Sequence, residues 1–280
     1  VCTAISSISY ASTLPSVPET IEIMPAMLLE ALCIAQSHLW LPPNGSLHGV
    51  AVDRLMRWNL IAICICVLAA HLWLIAAILR RRRRERTGST AFRWALLAAL
   101  CAMYLWMAVT AQHLWAASRF AGPSLEAMQV EVVGEQFQWY FRYPGPDAAF
   151  GSTRPNLVDA TAGNPLGIDS RDARGQDDVV SSVLVLPAGR QVDLRLRSID
   201  VIHGFFVPGM RLKENTVPGL VLHVHFTPTT TGTYPILCSQ VCGSGHARMQ
   251  AVLSVVSPAE FDIWLATRSN AHAHTEAPTR

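Results

Sequence analysis

Leu237-Cys238-Ser239-Gln240-Val241-Cys242-Gly243-Ser244-Gly245-His246-Ala247-Arg248-Met249 sets two cysteines, a histidine and a methionine within twelve residues. All four are soft or borderline ligands, and thiolate with thioether favours copper over hard cations. A blue-copper site takes one cysteine, usually with two histidines and a weak axial methionine. Here there are two cysteines, four positions apart, and a bridging pair of thiolates could hold two copper ions close together. On either side, Tyr234 to Leu237 and Gln250 to Val256 read as short strands, so the ligands sit on a loop between strands.

More strands lie upstream. Met128 to Val133 and Gln136 to Tyr143 are rich in valine and aromatics, and Pro144-Gly145-Pro146 stops the second. Val179 to Leu186 reads as one strand closed by Pro187-Ala188-Gly189. Gln191 to Arg197 alternates polar and apolar, the period of a half-buried strand. Leu222, Val224 and Phe226 share one strand face, which leaves His223 and His225 on the solvent side. Closely spaced strands with turn signals between them predict an antiparallel sandwich. Residues 147–178 form a long loop in which six Asp face three Arg. It reads either as a functional loop, steering a basic partner, or as a solvated insertion. Phe261 to Ala266 begins a short terminal helix, and residues 267–280, with His272 and His274, are expected to form a flexible tail.

The first part of the chain differs in kind. Hydrophobic residues make up 51% of the whole and charged residues 15%, which suggests a membrane protein with a soluble part. Leu60 to Leu79 is a 20-residue run without a charge, and Trp94 to Ala117 a second of 24. At about 1.5 Å per residue each spans a bilayer core of about 30 Å. Arg80 to Arg84 and Arg86, less Glu85, carry +5 of a net +2, so the rest of the chain is −3. The basic balance thus belongs to one short loop and does not indicate nucleic-acid binding. The positive-inside rule places that loop in the cytoplasm and both termini on the outer face. Residues 1–53 lack Lys and Arg, and Met24 to Leu41 reads as an interfacial helix or a poorly ordered extension. Cys64, Cys66 and Cys101 lie in apolar runs as small buried residues. No Cys-x-x-Cys-His is present to attach a c-type haem. His71, Gln112 and His113 within the spans suggest packing against a larger membrane subunit.

Cys-x-x-x-Cys-x-x-x-His-x-x-Met resembles the binuclear CuA loop of subunit II of haem–copper oxidases. Asp200-Val201-Ile202-His203-Gly204-Phe205-Phe206-Val207-Pro208 resembles the family segment with the other histidine ligand. Lys213-Glu214-Asn215-Thr216-Val217-Pro218-Gly219 follows at the family's distance, and Gln138-Trp139-Tyr140 resembles its aromatic motif. The likeness covers roughly residues 55–265. It implies a two-helix transmembrane hairpin followed by an all-β cupredoxin-like sandwich. The expected layout is an extracytoplasmic extension over 1–53 and a hairpin over 54–120, with spans at about 58–79 and 94–117. The CuA domain follows over 124–266 and the tail over 267–280.

The resemblance also implies the site. Cys238 and Cys242 would be bridging thiolates, His203 and His246 would each bind one of two copper ions, and Met249 and the Gln240 carbonyl would be weak ligands. Trp139 matches the family's exposed tryptophan, where electrons come in. Electrons would pass from cytochrome c or a similar donor to haem in subunit I, where oxygen is reduced to water. Subunit III and the lipid bilayer complete the surroundings, in a bacterial-type cell membrane. Some positions depart from the family. Gln240 and Asn215 replace two carboxylates, so magnesium, which prefers carboxylates and water, is not expected here. Ala91 stands three residues before Trp94 in place of a Glu near a proton path, and Phe141 replaces a tryptophan.

Other readings compete. The two cysteines suit a disulfide in an oxidising compartment, and Cys, Cys, His and a remote His suit structural zinc. Neither accounts for Met249 or the aromatic run. The CuA subunit of a membrane nitric oxide reductase would use the same electron input with a different substrate. A membrane-tethered copper-delivery protein is a third class, with an exposed and exchangeable metal.

Overall fold

The apolar runs form two long helices in the computed structural model, which describes residues 41–79 and 89–275. The expected extension as far as residue 40, the arginine loop at 80–88 and the last five residues lie outside the described residues. Helix α1 is Gly49–Leu79 and helix α2 is Thr90–Arg119. The Ser46 hydroxyl accepts from the Gly49 N–H at 3.2 Å, so α1 starts nine residues before the expected span at 58. Ser89 caps α2 in the same way through the Phe92 N–H at 3.1 Å. Both helices are long and apolar enough to cross a membrane. Their apolar side chains point outward, as Leu72 at 66% and Trp73 at 72% exposure show. Such a surface suits lipid or a partner rather than water.

A short segment ties α1 to the β domain. Gly45 donates its N–H to the Gly209 carbonyl at 2.8 Å, Leu47 to Thr227 at 3.0 Å, and Thr229 to Gly45 at 2.7 Å. One turn into α1, Asp53 takes a bidentate pair from Arg211, at 2.6 Å from Nε and 3.0 Å from Nη2.

The β domain is a sandwich. Strands β1 (Met128–Glu135), β2 (Gln138–Tyr143), β3 (Val179–Ser181), β5 (Val192–Ser198) and β8 (Leu222–Phe226) form one sheet in the order β3-β2-β1-β5-β8. Strands β4 (Val183–Pro187), β6 (His203–Val207), β7 (Leu212–Thr216), β9 (Gly232–Cys238) and β10 (Gln250–Val256) form the other, in the order β4-β10-β9-β6-β7. Alternation in β5 puts Val192, Leu194 and Leu196 in the core, where they meet Leu184, Leu186, Phe205, Ile236 and Leu253. Each such side chain contributes about 1.5–3 kcal/mol by leaving water.

Two details differ from the sequence reading. The sandwich is mixed: β1 runs parallel to β5 and β10 parallel to β4. This follows because Val179 to Leu186 is not one strand. The chain crosses from one sheet to the other at Ser182, leaving β3 beside β2 and β4 beside β10, and returns to the first sheet at β5. The C-terminal helix α3 is Pro258–Thr275 and runs through much of the stretch expected as a tail. It starts in a reciprocal cap, with Ser257 N–H on Glu260 at 2.9 Å and Glu260 N–H on Ser257 Oγ at 3.3 Å. Phe261 and Trp264 then dock on Tyr143, and Ala266 favours continuation.

The loop between β2 and β3 is folded onto the sheet. Arg142, 1% exposed, donates to the Asp178 carboxylate, to Glu131 at 3.3 Å and to the Gly151 carbonyl at 2.6 Å. Arg154 pairs with Asp169 at 2.8 Å and Arg174 with Asp172 at 2.9 Å. Three of the six loop aspartates are therefore neutralised by arginines, which weakens the reading of this loop as an acidic steering surface. Removing Arg142 leaves Asp178 buried without its cation and Glu131 with Arg197 alone, at 2.8 Å. Arg142→Ala is expected to destabilise the domain by about 3–5 kcal/mol, read as a lower urea midpoint. An unchanged midpoint would mean that the loop, not this network, sets stability.

Candidate metal centre

Three strands bring the sulfur and imidazole groups together. β6 opens at His203 and β9 closes at Cys238, and the two strands pair through Phe205 and Cys238. On the other side β9 pairs with β10, Leu237 facing Gln250. The loop from Ser239 to Met249 is thus held at both ends: Ser239 N–H donates to the Gly204 carbonyl at 2.8 Å, and Cys238 N–H to the Met249 carbonyl at 3.2 Å. A β-carbon on Gly204 would stand 2.8 Å from the Gln240 nitrogen, so only glycine lets the loop lie this close to β6. Gly243, at φ 146°, provides the reversal that returns the chain towards a single 3-10 turn, His246–Arg248.

The resulting cluster is tight. Cys238 Sγ and Cys242 Sγ are 3.8 Å apart. Cys242 Sγ lies 3.7 Å from His246 Nδ1 and 3.8 Å from Met249 Sδ. The Gln240 carbonyl is 3.2 Å from Cys238 Sγ. The ligand atoms of His203, Cys238 and Cys242 lie within 4.8 Å of one another. The two sulfurs are not joined in a disulfide, whose bond length is about 2.05 Å. They are close enough to share one ion, since two metal–thiolate bonds of about 2.3 Å reach further than this gap.

His203 and its neighbours test whether a metal fits. The ring is 0% exposed, its Nε2 is 2.8 Å from Asp200 Oδ1, and its Nδ1 is buried without a hydrogen-bond partner. A buried ring nitrogen beside two thiols, its opposite nitrogen held by a carboxylate, is the usual setting of a metal-bound histidine. Burial pushes the Asp200 carboxyl up. Hydrogen bonds from His203, from the Val201 N–H at 2.6 Å and from the Gln136 N–H at 2.7 Å outweigh it and hold the carboxyl below its ordinary range. Burial pushes the Cys242 thiol up to about 11, helped by the adjoining Cys238. Such thiols stay protonated at neutral pH unless a cation takes the protons' place. Two thiols, two imidazoles, a thioether and a carbonyl are a donor set for copper rather than magnesium or calcium. Gln240 and Asn215 add only amides on this side of the domain.

Trp139 is placed differently from its reading as an exposed residue. It is 1% exposed, with its ring edge-on to His203 at 5.8 Å and to Phe205 at 5.4 Å. Strand alternation explains this: Trp139 and Phe141 point to the core from the same face of β2. Phe137, just before β2, is half-buried and lies against Gly243 and Gly245 of the cysteine loop. Beside it Gln136 Nε2 donates to the Cys242 carbonyl at 2.5 Å. Sequence reading gave no role to Asp200, Gln136 or Phe137. An acid three residues before a candidate ligand histidine was the one available signal for Asp200.

Comparison with known proteins agrees with this geometry. Residues 128–256 match the family described as cytochrome c oxidase subunit II, periplasmic domain. The alternative cytochrome c oxidase subunit 2 of Bradyrhizobium diazoefficiens is 39% identical over 149 residues, covering 52% of this chain and 53% of that protein. Cytochrome c oxidase subunit 2 of a Synechocystis species is 31% identical over 150 residues, covering 54% of this chain and 35% of that protein. The match thus spans about half of the first relative and about a third of the second. The crystal structure of the periplasmic domain of subunit II of cytochrome oxidase from Bradyrhizobium japonicum aligns at a TM-score of 0.39 and 24% identity, over 54% of this chain and 98% of that one. Residues 128–256 are thus similar to the periplasmic domain of cytochrome c oxidase subunit II, in a chain that also carries two long apolar helices and a His/Cys/Cys cluster.

Proposed function

We propose that this chain is the electron-accepting subunit of a respiratory haem–copper oxidase, taking electrons from a c-type cytochrome and passing them to haem in subunit I. The observation that carries the reading is the convergence of Cys238, Cys242, His203, His246, Met249 and the Gln240 carbonyl on one small volume. Cys238 and Cys242 would bridge two copper ions, His203 and His246 would complete one ion each, and Met249 and the Gln240 carbonyl would be weak ligands. Bound copper supplies a one-electron acceptor and donor. The protein's part is rigidity: three strands and the Asp200–His203 bond hold the ligands in place before and after each electron. Oxygen reduction itself, and association with subunits I and III, belong to the larger assembly in the cell membrane. In that assembly the outer domain and both termini lie on the extracytoplasmic side.

The donor's contact face follows from exposure. Phe137 lies over the cysteine loop, and Val241 at the loop tip is 78% exposed. Gln136, bonded to the Cys242 carbonyl, completes a small patch of mixed polarity over the cysteine loop. Electrons enter across this patch, and Trp139 acts from beneath by packing the His203 ring.

The chain should bind two copper ions, with an electron paramagnetic resonance signal shared over both nuclei in the mixed-valence state. One copper with a blue-copper spectrum would overturn the binuclear reading. Nitric oxide reduction without oxygen uptake by the purified assembly would instead assign it to the reductase. Uptake of cuprous ion, measured against a competing chelator, should tighten as pH rises towards about 11, because Cys242 holds its proton below that point and must release it to bind. An affinity independent of pH would remove Cys242 from the ligand set. Phe137→Ala is expected to slow stopped-flow electron transfer from reduced cytochrome c by about tenfold or more while the copper spectrum is kept. Unchanged transfer would move the contact face elsewhere.

A further inference from the structure

The candidate ligands all belong to the second sheet and its loops, yet the tip of the β1–β2 hairpin reaches them from the first sheet. β1 pairs with β2 as far as Glu135 and Gln138, so Gln136 and Phe137 make the turn between them. Gln136 donates twice from this turn. Its backbone N–H donates to Asp200 Oδ2 at 2.7 Å, and its side-chain Nε2 donates to the Cys242 carbonyl at 2.5 Å. Asp200 Oδ1 in turn holds His203 Nε2 at 2.8 Å. A chain of hydrogen bonds thus runs from the Cys242 carbonyl through Gln136 and Asp200 to the His203 ring. It joins a candidate thiolate to a candidate imidazole through a residue that would bind no metal.

Close packing on both sides fixes the turn in this place. A β-carbon on Gly243 would stand 2.8 Å from Gln136 Nε2 and 3.0 Å from the Phe137 ring, so glycine leaves the amide its position. A β-carbon on Gly134 would stand 2.8 Å from His203 Cδ2, so β1 lies directly against the ring just before the turn. Electrostatics gives the link a consequence for a bound one-electron centre. Hydrogen bonds to the groups around metal ligands tune the metal. The positive end of the Gln136 amide beside Cys242 favours the centre when it holds one more electron. The N–H on Asp200 Oδ2 draws negative charge away from the carboxylate behind His203, which acts in the same sense.

We propose that Gln136 is a positioning residue that raises the reduction potential of the metal centre, by holding Cys242 and Asp200 together across the two sheets. The role rests on the reading of Cys242 and His203 as copper ligands and adds to it a residue outside the ligand set. Gln136 is exposed, so an isosteric replacement there opens no hole in the core.

The test is a redox titration of the full chain in detergent, loaded with copper and followed by its optical absorption. Gln136→Met keeps the length of the side chain and removes its donor. It should hold as much copper as the unaltered chain, while its one-electron reduction becomes about threefold to tenfold less favourable, the net worth of one hydrogen bond. A tenfold change lowers the potential by about 59 mV. Gln136→Glu, which sets acceptor oxygens against the Cys242 carbonyl, should lower it further. Gln138→Met removes a neighbouring donor that serves the Tyr140 hydroxyl instead, and should leave the potential unchanged. A potential equal to that of the unaltered chain in either Gln136 variant would overturn the proposal. Copper lost from the Gln136 variants alone would do so too, because the amide would then be a structural prop. An equal fall in Gln138→Met would assign the effect to the hairpin as a whole and overturn it likewise. A single copper ion on the unaltered chain would remove the binuclear reading, whereas a lowered potential of that ion in Gln136→Met would still uphold the role of Gln136.

Discussion

Two sulfurs held 3.8 Å apart in a half-buried pocket are electrostatically costly as thiolates without a cation. Burial raises the cost of the charge on Cys242, and the neighbouring Cys238 raises it again. The backbone accepts this arrangement because β9 and β10 are already paired and the loop between them is tied to β6 at Gly204. The strands therefore impose a high local demand for positive charge on the site. Asp200 contributes to the same demand from behind His203, because its carboxylate favours a histidine that gives its other nitrogen to a cation.

The aromatic residues divide this work by position. Trp139 is enclosed and bears on the His203 ring, so it restrains a candidate ligand. Phe137 sits outside it on the cysteine loop, where two glycines leave room for a ring. Only Gln138 separates them in sequence, but Phe137 precedes the first residue of β2 and so is not held on the core-facing side with Trp139. Similar side chains thus take different roles because of where β2 begins.

At its other end the domain is joined to the helices by backbone pairing over residues 45–47 and by the Asp53–Arg211 pair. A helix carried on a single covalent link would swivel. Here it is fixed at two points about one helical turn apart, which favours a constant height of the metal loop above the bilayer. The folded loop from 147 to 178 plays a different part: Arg142 draws its two ends onto the sheet and gives its buried carboxylates a partner.

The local parts of this protein were legible in the sequence. The two uncharged runs, the alternation in β5, and the Cys-x-x-x-Cys-x-x-x-His-x-x-Met loop between short strands each depend on neighbours a few residues apart. Periodicity and ligand chemistry report such neighbours directly. The split of Val179 to Leu186 across two sheets was not legible, because a strand's composition does not say which sheet edge it meets. The burial of Trp139 was misread because a motif likeness does not say which face of its strand a residue takes, and a shift of one position turns every side chain over. His203 lies 35 residues from Cys238, and only the pairing of β6 with β9 brings them within ligand distance. Sequence alone determined which groups could bind a metal. Tertiary structure decided which of them meet, because burial and strand register are set by contacts between segments far apart in the chain.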